Sequence, residues 1–155
     1  MDVNFEVAFL AASRAKLLQL MEGLTDEQLF RIPPGFNNNI IWHLGHCVTA
    51  QQRLMYLRSK LPMHISDQYA DFFKIGTSPA GWAIQPDKNE VRESLLVTVE
   101  RLNEDIANNL FRQYEAMKTS AGVMLTNHVE ALAYANFHEA EHTGNMMYLK
   151  RVMGI

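Results

Sequence analysis

The stretch LTNHVEALAYANFHEAEHTGNMMYLKRV, residues 125–152, decides the fold class of this chain. It predicts one long helix that stops at Gly154. His138 and His142 lie four positions apart, so they share one face of that helix. The other residues near this face are small, apolar or amide side chains: Ala131, Ala135, Asn145 and Leu149. A face of this composition is typical of a helix side that packs inside a bundle.

Three more long helices are predicted upstream. Apolar residues at helical spacing indicate one helix over 4–22, a second over about 38–60 and a third over about 87–109. The residues Asn37 to Asn39 offer N-caps for the second of these. Four amphipathic helices in 155 residues predict an all-α four-helix bundle that forms a single domain over residues 1–155.

The connections between the helices are less regular. A capping-box pattern predicts a short helical turn at 26–30, and residues 112–122 form a polar connection with no β-hairpin signature. A long loop at 62–86, between the second and third helices, contains three prolines and several aromatic residues, namely Tyr69, Phe72, Phe73 and Trp82. Such a loop either covers a small-molecule pocket or caps the end of the bundle.

Composition narrows the functional classes. Hydrophobic residues make up 48% of the chain and the formal net charge is -3, so no basic field favours nucleic acid or acidic lipid. A single cysteine, Cys47, excludes an internal disulfide framework. Because no targeting pattern and no long apolar run are found, a soluble cytoplasmic protein without a membrane span is expected.

Two histidines on a probable core face need polar partners, because buried polar groups that lack partners cost free energy. A metal ion is one such partner, and an amide or a backbone carbonyl is another. The string His138-Glu139-Ala140-Glu141-His142 also matches the zinc-protease motif, with Glu139 as general base. That interpretation is disfavoured, because no metal-ligating residue follows His142 and no strands are evident to hold a peptide. A third protein ligand must therefore come from upstream.

His43 and His46, early in the second helix, are the candidates for that third ligand. A helical wheel places His43 slightly nearer the centre of the apolar stripe, so periodicity alone favours His43. The adjacent Cys47 points about 100° away from His46 on a helix and is interpreted as a core thiol. His64 follows Pro62 at the end of the second helix and is expected to be solvated, and His128 lies about two and a half turns from His138, too far to share the ion.

Two motifs resemble those of the DinB/YfiT-like superfamily of four-helix-bundle metalloenzymes. One is Trp42-His43-Leu44-Gly45-His46, and the other is His138-Glu139-Ala140-Glu141-His142-Thr143-Gly144. The stretches Asn37-Asn38-Asn39-Ile40-Ile41-Trp42 and Gly76-Thr77-Ser78-Pro79 are similar to one branch of that family. The order of the two motifs, their separation and the number of helices agree with that family over nearly the whole chain.

The resemblance implies a divalent metal bound by His46, His138 and His142, because His46 ends the W-x-x-x-H string. It makes His43 a candidate for a residue that contacts one of these three histidines without binding the metal itself. Glu139 and Asn145 are candidates for the surroundings of the site, although solvated helix glutamates are more common.

The functional expectation is a metal-dependent enzyme that acts on a small molecule. Three imidazoles suit zinc, nickel or iron, and they leave coordination positions open, as catalytic sites do. Similar family members imply a thiol S-transferase that uses a low-molecular-weight thiol, and a hydrolase is also open. The alternative is a non-catalytic metal-binding bundle that acts through protein partners. A homodimer is expected, since two-fold dimers are the commonest closed assemblies.

Overall fold

The computed structural model describes residues 2–155, so Met1, the first residue of the predicted domain, lies outside the described residues. It contains six α-helices: α1 (Val3–Met21), α2 (Asp26–Phe30), α3 (Ile40–Gln52), α4 (Asp67–Phe73), α5 (Lys88–Ala107) and α6 (His128–Met153). A π-helical turn, Arg53–Leu57, continues α3, and a 3-10 turn lies at Pro79–Gly81. Two short strands, β1 (Met117–Lys118) and β2 (Met124–Leu125), precede α6.

The four long helices form the bundle. The helix α1 packs against α5 and α6, and α3 packs against the same two helices. Therefore α1 and α3 lie diagonally across the bundle, as do α5 and α6. The prediction of an all-α bundle of the DinB-like type is confirmed, and the observed ends of these helices differ from the predicted ones by a few residues.

Asparagine and aspartate side chains begin the long helices. Asn39 is buried, and its Oδ1 accepts a hydrogen bond from the Trp42 N–H at 2.8 Å. Its Nδ2 donates to the Phe30 carbonyl at 2.9 Å, which ties the start of α3 to the end of α2. Asn127 caps α6 in the same way, by accepting from the Glu130 N–H. These caps satisfy N–H groups that have no partner inside the helix, so they define where each helix begins.

A polar layer separates two apolar clusters inside the bundle. One cluster contains Leu17 of α1 and Met146 of α6, and the other contains Leu10 and Leu132 of the same two helices. Four buried polar side chains lie at intermediate positions along the long helices, namely Arg14, Thr49, Thr98 and Glu139. The candidate histidines His46 and His138 are neighbours of this layer in the sequence. The histidines therefore lie along the middle of the bundle, away from the ends of its helices.

The segment 62–86 is more ordered than predicted. It contains α4 and the 3-10 turn, and α4 packs directly on α3. Ser66 caps α4 by accepting from the Tyr69 N–H at 3.0 Å. Tyr69 and Phe73 are buried within the bundle core. The expectation of one long irregular loop is wrong, because local capping and apolar spacing inside this segment support a short helix.

The prediction that no β-hairpin occurs is also wrong. Strands β1 and β2 pair antiparallel, with Met117 opposite Leu125. The turn between them depends on Gly122, whose φ of 85° lies in the left-handed region, and the Thr119 N–H donates to the Val123 carbonyl at 2.8 Å. Each strand has two residues, which is too short for an alternating pattern to show in the sequence.

Among residues 2–155, no helix combines the length and the apolar character that a membrane crossing requires.

Gly45 is a point of close contact between α3 and α4. A Cβ built on Gly45 would lie 2.5 Å from ring atoms of Phe73. Only a residue without a side chain therefore lets the Phe73 ring lie on the α3 backbone. The neighbouring ligand candidate His46 follows Gly45 directly, so this contact also fixes the distance between His46 and the end of α4.

Replacement of Gly45 by alanine should lower the free energy of unfolding by about 1–3 kcal/mol, because the rigid Phe73 ring must move. Gly144→Ala is the matched control. It adds a Cβ to a helix position with no heavy atom within 4 Å, and it should be neutral or slightly stabilising. Denaturant unfolding of both variants measures the difference. Equal stabilities would show that the α3–α4 contact is loose.

Candidate metal centre

Three histidines from two helices converge at one point of the bundle. His46 belongs to α3, and His138 and His142 belong to α6. One ring nitrogen from each residue lies within 4.8 Å of the other two. These are the residues that the family resemblance selects, and the structure places them together.

The ring of His46 is held in one orientation by two contacts. Its Nδ1 lies 2.6 Å from the Phe73 carbonyl oxygen, and a carbonyl can only accept. Nδ1 therefore carries the proton, and Nε2 keeps a free lone pair. The Trp42 indole stacks on the same ring, with centroids 4.5 Å apart and planes 9° apart. Together these contacts aim the free nitrogen of His46 at the other two histidines.

Trp42 is itself fixed by the segment that follows α4. Its Nε1–H donates to the Thr77 Oγ1 at 2.9 Å. The hydroxyl of Ser78 donates to the Asn37 carbonyl at 2.7 Å. The Asn37–Trp42 stretch and the Gly76–Pro79 stretch, which carry part of the resemblance, are thus partners in space. Their shared role is to hold the tryptophan that orients His46.

His138 and His142 present their Nε2 atoms to each other at 3.2 Å. Two nitrogens bound tetrahedrally to one ion at zinc–nitrogen distances lie about 3.3–3.4 Å apart, so the observed spacing fits a shared ion. Ala131 and Ala135 are buried on this face, as expected. Asn145 is exposed, so the expectation that it borders the site is wrong.

His43 contacts the cluster from outside. Its Nδ1 lies 2.7 Å from the Nδ1 of His142, so one nitrogen donates and the other accepts. If Nε2 of His142 binds a metal, its Nδ1 carries the proton and donates to His43. The helical wheel correctly places His43 inside the bundle, but the structure gives it a contact with a ligand candidate and leaves the three-nitrogen cluster to His46, His138 and His142.

Burial keeps these imidazoles neutral. Removal from water lowers the pKa of His138 and of His43 to about 4, and a neighbouring His46 contributes in both cases. Burial is also the main reason that the pKa of His142 falls to about 2 and that the pKa of His46 is lowered. Neutral imidazole is the form that binds a metal, so the site needs no deprotonation near neutral pH.

A cavity of about 280 Å³ lies directly beside the cluster, and both His46 and His138 line it. The segment 62–86 contributes Lys74 and Ile75 to this lining. Its aromatic side chains do not line the cavity. The Phe73 ring lies on Gly45, and Phe72 and Trp82 pack against the bundle core. The segment therefore borders the cavity, but through Lys74 and Ile75 and not through the aromatic residues that the cover hypothesis named.

A family model described as the DinB superfamily matches residues 10–146. The chain belongs to the DinB superfamily. A comparison with curated proteins gives no match. The matched range includes α3, the cavity-lining hairpin and the two histidines of the cluster on α6, His138 and His142.

Glu139 and Arg14 form a buried ion pair next to this DinB histidine cluster. The Arg14 Nε donates to both carboxylate oxygens of Glu139 at 2.8 and 2.9 Å, and each side chain is 1% exposed. The Arg14 Nη2 also donates to the Cys47 carbonyl at 3.3 Å. Glu139 follows His138 and Cys47 follows His46, so one guanidinium connects the backbones of two ligand candidates.

Glu139 is therefore not a solvated helix residue, and Arg14 is buried on the inner side of α1 despite its charge. The zinc-protease interpretation fails, because a carboxylate paired with a buried guanidinium cannot serve as a base in the cavity. Sequence reasoning missed Arg14, and its position between Leu10 and Leu17 on the apolar stripe was the available signal.

The remaining candidates lie outside the cluster. Cys47 is a buried free thiol, and burial raises its pKa well above the ordinary value, which agrees with a core role. His64 lies 2.7 Å from the Asp105 carboxylate, so it is a partner of α5 rather than a fully solvated residue. His128 stacks on Phe111 with centroids 5.4 Å apart.

Arg14→Met should lower the free energy of unfolding by about 3–5 kcal/mol, because it leaves the Glu139 carboxylate buried without its partner. The double variant Arg14→Met/Glu139→Met removes both charges and should recover a large part of that loss. Urea unfolding in the presence of a chelator measures both without a contribution from bound metal. Glu139→Met is measured in the same way, and a loss in the double variant equal to the sum of the losses in the two single variants would contradict the coupling of these charges.

Proposed function

We propose that this DinB protein is a divalent-metal-dependent enzyme that acts on a small molecule. The observation that carries the proposal is the convergence of three imidazole nitrogens within 4.8 Å beside a cavity. The contacts of His46 with Trp42 and the Phe73 carbonyl, and of His142 with His43, hold the rings without the ion. Rings fixed in advance lose little conformational freedom on binding a metal.

The donor set fits zinc, nickel or iron, since neutral imidazole suits all three. Three protein ligands leave at least one coordination position for a substrate. An ion bound there supplies Lewis acidity, which favours the ionised form of a thiol or water in the cavity. Trp42 and His43 orient the histidines that would bind the ion. The walls of the cavity exclude bulk water.

We favour transfer of a low-molecular-weight thiol as the reaction class, and hydrolysis as the second choice. Support for the thiol comes from the resemblance to thiol-transferring members of the family. The cavity also favours an enzyme over a bundle that only binds metal, because His46 and His138 face space that a small molecule can enter. A stabilising metal site would be closed on all sides by protein.

We further propose a homodimer. Helix α1 exposes Phe5 and Phe9, which lie four positions apart on one face, and α6, its neighbour, exposes Phe137. Large apolar side chains in contact with water are typical of a surface that another protein covers. Light scattering should therefore give twice the 17.7 kDa mass of one chain, and a monomer at micromolar concentration would contradict the proposal.

Metal content of single variants tests the ligand assignment. Alanine at His46, His138 or His142 should abolish stoichiometric binding, because each removes one of three donors. His43→Ala should still bind one ion, with an affinity lowered about 10- to 100-fold, since it removes only a contact that orients His142. His128→Ala is the control and should bind as the wild type does. Full binding by His46→Ala together with loss in His43→Ala would reverse the assignment.

Turnover tests the enzymatic part of the proposal separately. The protein, purified without a nickel column and loaded with each metal in turn, is screened with small thiols plus electrophiles and with esters and amides. We expect a reaction that requires the metal and that His46→Ala lacks. Equal rates for the wild type and for His46→Ala across the screen would favour the non-catalytic alternative.

A further inference from the structure

Residues along α3 and its π-helical turn line the cavity beside the histidines. His46 lines it from the middle of α3, and Arg53 and Arg58 line it further along the chain. At the rise of a helix, Arg53 lies about 10 Å and Arg58 about 18 Å from His46 along the axis. Thr49 and Ala50 lie between His46 and Arg53, and Leu54 and Leu57 lie between the two arginines.

The charges that line this cavity are all positive. Arg53, Arg58 and Lys74 contribute to the lining, and no carboxylate of the described chain does. Two of these cations have partners outside the cavity lining: the Lys74 Nζ lies 2.7 Å from Asp71, and the Arg58 Nη1 lies 3.7 Å from Glu115. Arg53 makes no ion pair with any residue in the part of the chain that the structure describes. One positive charge therefore remains uncompensated.

This local charge is opposite to that of the chain as a whole. The formal net charge is -3, so the general field of the protein does not attract anions. Within the cavity, the neutral imidazoles of His46 and His138 add no charge of their own, and a divalent ion bound to them would add positive charge at the histidines only. The three cations are therefore a local feature of the cavity lining. They are the protein groups there that can recognise the charge of a ligand.

The remaining part of the cavity lining is uncharged and partly polar. It includes Met117, Thr119 and Ser120 of the hairpin region and Tyr134 of α6. The Ser120 and Tyr134 hydroxyls lie 3.3 Å apart. Hydroxyl groups donate hydrogen bonds to neutral and to anionic oxygens alike, so they do not select a ligand by its charge. Discrimination by charge therefore depends on the cationic side chains, among which Arg53 has no ion-pair partner in the described chain.

We propose that the substrate or thiol cofactor of this site is an elongated monoanion whose carboxylate pairs with Arg53, supported by Arg58. Its middle lies along Thr49 and Ala50, and its reacting group lies at His46 and His138. This inference rests on the proposed function and specifies the substrate class. A carboxylate, rather than a phosphate dianion, matches the single uncompensated charge, and guanidinium binds a carboxylate through two parallel hydrogen bonds.

Three matched probes test the proposal by calorimetry on the zinc-loaded protein. They are mercaptooctanoate, mercaptooctanol and mercaptooctyl phosphate, each with its thiol at the far end of the chain. The acid should bind about five- to tenfold more tightly than the alcohol, as expected for a partly exposed arginine–carboxylate pair. The phosphate should bind no more tightly than the acid.

Variants identify the source of that preference. Arg53→Met keeps the apolar stem and removes the charge, so the acid-to-alcohol ratio should fall to within about twofold. Arg101→Met is the matched control, because Arg101 is an exposed arginine of α5 that does not line the cavity. Its ratio should equal that of the wild type. Circular dichroism and zinc content confirm that each variant is folded and loaded.

The outcomes separate this inference from the proposed function. In His46→Ala, and in the wild type after chelation, both thiols should bind more weakly while their ratio is retained. If removal of the metal changes neither affinity, the metal-dependent function fails, and the ratio still reports on the arginines. Equal affinities of acid and alcohol, an unchanged ratio in Arg53→Met/Arg58→Met, or tighter binding of the phosphate would each overturn the carboxylate site.

Discussion

The rest of the bundle depends on the burial of one pair of opposite charges, the Arg14 guanidinium and the Glu139 carboxylate. Neither ion can be buried alone, because the loss of hydration is compensated only by a partner at hydrogen-bonding distance. Helices α1 and α6 must therefore meet at one register, and the additional bond to the Cys47 carbonyl brings in α3 from across the bundle. His46 and His138 directly precede Cys47 and Glu139 in the sequence, so their separation is set by the same constraint.

The local parts of the fold could be predicted from the sequence, and the contacts between distant parts could not. Helical spacing and caps such as Asn39 identify the four long helices. The hairpin was missed because β1 and β2 have two residues each. The burial of Arg14 was missed because its partner is 125 positions away, and charge alone suggested solvent. A single sequence contains no direct signal for that pairing.

The candidate site shows the same division. Spacing identifies His138 and His142 as one face of α6, but it favours His43 over His46. The preference is reversed by Trp42 and the Phe73 carbonyl, which orient His46. Both contacts depend on how α4 packs against α3. The spacing of apolar residues along the sequence contains no information about that packing. The cavity-lining cations could likewise be counted in the sequence, but only the fold shows that Arg53 and Lys74 line the same cavity.

The order of the site's components along the chain has a consequence for biosynthesis. The orienting groups of His46 all belong to the segment around α3 and α4, so they are made early and close together. His138 and His142 belong to α6, and the Arg14–Glu139 pair joins α1 to the same helix. A chain still on the ribosome that lacks α6 has one histidine of the three and an unpaired arginine. A site that uses all three histidines can therefore form only after α6 has been made.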